Sequence, residues 1–214
     1  MTSGMENRDP PVADFLGPTG NATDKYGSKN PLTRFLLARF VREVDALVRE
    51  TGTTSLLDVG CGEGVMTERL AELTGAETIG VDIGDEGQKS EWNRREREEL
   101  SFRRASAYDL PFEDRSFECV CALEMLEHLE RPRDALAEMQ RVARRTLLVS
   151  VPREPLWRAS HMLAGRDLRT LGNTPGHINH WTSNAFAALV SEFAHVQTVR
   201  RPFPWTIVLA ERPD

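Results

Sequence analysis

The chain has 214 residues, 40% apolar and 28% charged, a composition that supports a well-buried globular domain and excludes an intrinsically disordered chain. Lys and Arg number 27 against 33 Asp and Glu, so the net charge is −6, which argues against a partner whose run of phosphates must be neutralised. No apolar run reaches the ~18 residues of a membrane helix. The opening MTSGMENRDPPVADF lacks the basic and apolar parts of a secretory signal. Three cysteines, Cys61, Cys119 and Cys121, are too few and too clustered for a disulfide scaffold, so a cytoplasmic location with reduced thiols is expected.

Residues 1–30 are rich in Pro, Gly, Asn and Asp and read as a flexible lead-in to a single domain over 31–214. From Pro31, Leu32, Phe35, Leu36, Phe40, Val44, Leu47 and Val48 recur at helical spacing, with Pro31 in the first turn and Gly52 past the end. Ser55–Val59 reads as a buried strand, Val65–Thr74 as a helix, Glu77–Asp82 as a second strand and Gln88–Leu100 as a charged, solvated helix. Ser101–Ala105 and Phe117–Leu123 follow as strands, then a helix over Pro132–Ala143 and a fifth strand over Thr146–Val151, closed by Pro152. Such alternation predicts an α/β fold with a mostly parallel sheet covered on both faces, whose ligand site lies beyond the carboxyl ends of the strands. Residues 152–181 break the rhythm with Pro152, Pro155, Gly165, Gly172, Pro175 and Gly176. A helix at Ser183–Phe193 and an apolar strand at Thr206–Ala210 restore it.

The most specific segment is LLDVGCGEG at 56–64. Gly60, Gly62 and Gly64 lie between a strand and a helix, where they let a ligand come close to the backbone. The dinucleotide fingerprint would need a glycine at position 65, which is Val65. Asp58, just before the glycines, would repel a pyrophosphate but attract an ammonium or sulfonium group. Asp82, at the end of the second strand, is placed to accept hydrogen bonds from both ribose hydroxyls. A ligand with a ribose and a cationic amino-acid end describes S-adenosylmethionine.

With VDIG at 81–84, LPFEDRSFE at 110–118 and LEMLEHL at 123–129 added, the sequence resembles the class I S-adenosylmethionine-dependent methyltransferases, in their small UbiE/type-11-like branch. The resemblance covers Thr54 to Val151, the expected cofactor-binding core, and runs more loosely to the C-terminus. It implies a Rossmann-like seven-stranded sheet ending in a reversed hairpin. It also implies that the loop with Asp58, Gly60, Cys61, Gly62 and Gly64 packs on the cofactor and that Asp82 and Ile83 meet its ribose side. Ser106 and Ala107 fall where adenine is gripped; many relatives carry Asp at the place of Ser106. Leu123 and Glu124 sit where the fourth strand opens into the site.

Glu124, Glu127 and His128 are spaced i, i+3, i+4, which predicts one helical face. Three readings stand side by side. The acids favour a helix start while His128 packs; or His128 is a general base; or the trio holds a divalent metal with His177 as a further ligand. The last resembles the metal-holding segment of small-RNA terminal 2′-O-methyltransferases and some quinone O-methyltransferases. Residues 152–181 carry His161, His177, His180, Trp157 and Trp181, with four arginines against two acids, and read as a substrate lid. The expected activity is methyl transfer to O or N of a small-molecule acceptor, with His128 and His177 as catalytic candidates. The alternatives are metal-dependent O-methylation, a terminal RNA ribose included, and a non-catalytic cofactor-binding module.

Overall fold

The computed structural model describes residues 30–156 and 176–213. It opens with α1 (Pro31–Thr51), whose cap is Asn30: the side-chain carbonyl accepts from the backbone N–H of Leu32 and Thr33, satisfying two of the orphan donors of the first turn. Gly52, in the left-handed conformation, ends the helix by returning its N–H to the carbonyl of Arg49. Then follow β1 (Ser55–Val59), α2 (Val65–Thr74), β2 (Glu77–Asp82), α3 (Glu86–Arg95), β3 (Leu100–Arg104), β4 (Phe117–Leu123), a single 3₁₀ turn at Leu126–His128, α4 (Pro132–Val142), β5 (Ala143–Pro152), α5 (Ser183–Ser191), β6 (His195–Arg200) and β7 (Trp205–Glu211).

The strands form one seven-stranded sheet in the order β3-β2-β1-β4-β5-β7-β6. All pairings from β3 to β5 are parallel, and β7 runs antiparallel between β5 and β6, which is the reversed terminal hairpin. Strand alternation sorts the core into two layers. On β4, Cys119 and Cys121 face one side, packed with Phe40 and Val44 of α1 and Leu70 of α2. Val120 and Ala122 face the other, with Leu136 and Met139 of α4 and Phe186 of α5. A buried bidentate pair between Arg69 and Asp45 (2.6 and 3.0 Å) ties α2 to α1. Strand order reverses between β1 and β4, so the crevice for a ligand opens at their carboxyl ends.

Several boundaries differ from the sequence reading. The charged helix expected over Gln88–Leu100 is Glu86–Arg95, because Asp85 and Gln88 form a capping box upstream and Glu96 turns extended. The fifth strand starts at Ala143, three residues before the apolar run, on the exposed Arg144 and Arg145. The first strand of the hairpin, β6, lies in HVQTVR, whose residues are exposed or half-buried and which carries a register shift. The lead-in at 1–29, and Trp157 and His161 of the expected lid, lie outside the described residues.

Candidate active site

At the end of β1 the chain turns away from the sheet, and the N–H groups of Gly60 and Cys61 both donate to the carbonyl of Val81 (2.8 and 3.1 Å), stitching the loop to β2. Gly60, Gly62 and Gly64 all have positive φ. A Cβ on Gly60 would lie 2.3 Å from Met125 Cγ, and one on Gly64 would lie 2.5 Å from the Phe102 ring. Close approach of a ligand was the expected reason for these glycines. At positions 60 and 64 the protein's own side chains already require them, and only at Gly62 does the space beyond Cα stay open.

Asp82 ends β2 with its carboxylate held at both oxygens: Oδ2 accepts from the N–H of Gly62 (2.9 Å) and Oδ1 from that of Gly84 (3.2 Å). Asp58 is buried beneath the loop and accepts a hydrogen bond from the Thr67 hydroxyl (2.6 Å). Burial raises its carboxyl to about 6, the Thr67 hydroxyl opposes the rise, and the neighbouring charge of Asp82 adds to it. Burial, with the charges of Asp58 and Asp82, likewise pushes the Cys61 thiol up, so it stays protonated and unreactive.

A cavity of about 380 Å³ opens here, lined by Gly60, Asp82, Ile83, Ser106, Ala107, Glu124 and His128 of the expected set. Asp58, Cys61, Gly62, Gly64, Leu123, Glu127 and His177 of that set are not part of the lining; Leu123 packs against the α1–α2 layer instead. The sequence reading did not pick out the rest of the wall, Tyr108, Met125 and Leu129 with Val59, Val81 and Ala105. Tyr108 lies under the Arg131 guanidinium (4.5 Å from the ring centre), and its hydroxyl accepts from the Arg131 N–H (3.3 Å). An aromatic two places after Ser106 was the only signal for it.

Beyond β4, the expected helical face does not form. Glu124 takes a positive φ of 61°, rare for a residue with a side chain. The next turn is 3₁₀, so Glu124 parts from Glu127 and His128. Its carboxylate accepts from Ser150 Oγ (3.1 Å) and Trp205 Nε1 (2.6 Å), a contact that no local pattern announces. Glu127, His128 and His177 do converge, with one ligand atom from each lying within 4.8 Å of the others, and Glu124 is outside that group. His177 is buried, its ring 4.8 Å from that of His128. His128 Nδ1 meets the carbonyl of Gly176 at 2.9 Å; a carbonyl only accepts, so Nδ1 donates, and in the neutral imidazole the lone pair is on Nε2.

The segment after Gly176 is tied to this turn. Ile178 and Asn179 donate their backbone N–H to the Glu127 carbonyl (both 3.0 Å), and Asn179 Nδ2 donates to that of Leu129 (2.6 Å). His180 turns away towards Glu154 (3.5 Å). Arg153 bridges with Trp181, and the Glu154 N–H donates to the Trp181 carbonyl (2.9 Å), so the chain on both sides of residues 157–175 meets at one point.

Residues 57–147 match the family model of a methyltransferase domain. The matched stretch runs from β1 into β5 and holds the glycine loop and Asp82. It is 34% identical over 110 residues to an O-methyltransferase of Aspergillus sclerotiorum, a match covering 50% of this chain and 42% of that protein. To a ubiquinone biosynthesis O-methyltransferase of Methylococcus capsulatus it is 35% identical over 91 residues, 41% of this chain and 38% of that one. The chain thus spans less than half the length of these curated relatives. Among solved structures, the chain resembles magnesium protoporphyrin IX methyltransferase from Synechocystis PCC 6803 with bound SAH. The TM-score is 0.65 at 18% identity, covering 94% of this chain and 93% of that one, a likeness of fold.

Proposed function

We propose that this chain transfers a methyl group from S-adenosylmethionine to an oxygen of a small-molecule acceptor. The observation that carries this is the Asp82 carboxylate, fixed by the N–H groups of Gly62 and Gly84 at the wall of the cavity. Held so, it keeps lone pairs for two ribose hydroxyls without having to reorganise. The buried carboxylate of Asp58 favours a cationic amino-acid end beyond the glycine loop. Ser106 and Ala107 offer the adenine side, and Ile83 an apolar edge.

In the reaction the acceptor oxygen attacks the sulfonium methyl carbon, the carbon–sulfur bond breaks, and its electron pair stays on sulfur as a neutral thioether. The acceptor's proton goes to His128 Nε2, whose ring is oriented by the Gly176 carbonyl. Alignment and exclusion of water supply most of the remaining rate. The names of the curated relatives favour oxygen over nitrogen as the acceptor atom. The three cysteines are free thiols, in keeping with a cytoplasmic location. Among the described residues no helix is long and apolar enough to cross a membrane.

A second reading rests on Glu127, His128 and His177. Two imidazoles and one carboxylate are a donor set for a divalent ion, and the carbonyl on His128 Nδ1 is the kind of support a ligating imidazole uses. A bound ion would lower the pKa of an acceptor hydroxyl. It would also occupy Nε2, so His128 serves as base or as ligand, not both.

Isothermal titration with S-adenosylmethionine and S-adenosylhomocysteine, followed by transfer of a labelled methyl group to a panel of hydroxylated acceptors, tests the proposal. Absence of binding overturns it. Binding without transfer to any acceptor favours the non-catalytic module. Transfer abolished by chelation and restored by a divalent ion selects the second reading.

A further inference from the structure

We infer that Trp92 is a positioning residue for ribose recognition: one indole, buried on α3, locks both backbone donors that hold the Asp82 carboxylate. This rests on the cofactor reading above. Trp92 Nε1 donates to the carbonyl of Gly62 (2.7 Å), and the N–H of that same Gly62 donates to Asp82 Oδ2 (2.9 Å). The far edge of the indole lies against Gly84, where an added Cβ would come within 2.8 Å of Cη2; the Gly84 N–H donates to Asp82 Oδ1 (3.2 Å). The ring is 4% exposed and stacks nearly parallel on Phe102, with centroids 5.8 Å and planes 6° apart. Phe102 in turn fills the space above Gly64 and Gly80. The indole therefore has little freedom to shift, and both contacts on Asp82 inherit its position.

The consequence is a link through the protein. Losing the indole N–H frees the Gly62–Glu63 peptide and so the ψ of Gly62; the Cα of Gly62 is then less firmly held, which loosens its N–H, one of the two donors on Asp82. The cost then falls on whatever ligand group Asp82 holds. A merely structural tryptophan would weaken all ligands alike.

The test is titration of the full chain and its W92F and D82N variants with S-adenosylhomocysteine and with its 2′,3′-dideoxy analogue, which lacks both ribose hydroxyls. Phe keeps the stacked ring and removes the donor. W92F is expected to bind S-adenosylhomocysteine about fivefold to tenfold more weakly, the worth of one hydrogen bond. Against the dideoxy analogue it should match the unmodified protein, as should D82N. Equal losses for both ligands, or none for either, overturn the inference while leaving the cofactor reading intact. Failure of the unmodified protein to bind S-adenosylhomocysteine overturns both. Should W92F not fold, the indole N–H resonance of the unmodified protein, assigned through its contacts to Phe102, supplies the answer. It is expected to shift with S-adenosylhomocysteine and stay still with the dideoxy analogue; the same response to both overturns the inference.

Discussion

Around the cavity, the wall built by β1, β2 and α3 is joined by hydrogen bonds between groups 20 to 30 residues apart, most with a main-chain partner, as in Gly62 to Asp82 and Trp92 to Gly62. The wall beyond β4 also draws on side-chain bonds that reach 48 and 81 residues, His128 to Gly176 and Trp205 to Glu124. The first wall takes its shape once two βα units have folded. The second takes its shape only when the segment after Gly176 and the terminal hairpin have docked. On the proposed function, cofactor binding and acceptor chemistry fall to these different parts of the chain and should be separable by substitution.

The largest separation is expected at His128. His128→Gln should lower kcat by about 10²- to 10⁴-fold, the usual worth of a general base, while titration shows S-adenosylhomocysteine binding unchanged. A parallel loss of both would mean that the two walls are not independent. Gly60→Ala attacks the other wall and reaches across to Met125. Positive φ together with the 2.3 Å approach should cost about 2–4 kcal/mol, read by chemical denaturation.

Asp58 sharpens the comparison because the cofactor wall carries an uncompensated cost. Its folded-state pKa, about 6, is above that of the unfolded chain, so the folded form holds a proton between about pH 4 and pH 6 that the unfolded form has released. Stability from this group is full below about pH 4, falls as pH rises and is lost above about pH 6. Asp58→Asn should therefore be more stable than the parent at pH 7.5, by up to about 3 kcal/mol, with the gap closing towards pH 4. Denaturation curves at both ends of that range decide it. The smallest effect is expected from Asn179→Ala, which removes the amide held by the Leu129 carbonyl. It should raise the acceptor KM about threefold to tenfold, one hydrogen bond's worth, and leave KM for the methyl donor in place.

How much of this was legible in the sequence follows the same divide. LLDVGCGEG and Asp82 were readable because a tight strand-to-helix turn needs glycine at fixed offsets and puts the acid at the end of the neighbouring strand. Tyr108, Trp92 and Trp205 were not, since a lone aromatic in an apolar or charged stretch reads as packing. The separation of Glu124 from Glu127 and His128 was hidden because helical spacing assumes a helix, and the positive φ at Glu124 breaks it. His177 came to the turn only through the family resemblance, its contact lying 49 positions from His128. β6 escaped because none of its residues is buried and only Val196 and Val199 are apolar.

The bridge between Arg153 and Trp181 has a bearing on how β5 and α5 are held together. The chain leaves the sheet and returns to it at a single anchored junction, with β5 on one side and the cap of α5 on the other. Arg153 and Trp181 pair, and the Glu154 N–H bonds the Trp181 carbonyl, so the end of β5 and the start of α5 are fixed to each other without relying on the sheet alone. The junction therefore works as a clasp, through which β5 and the cap of α5 hold one another directly.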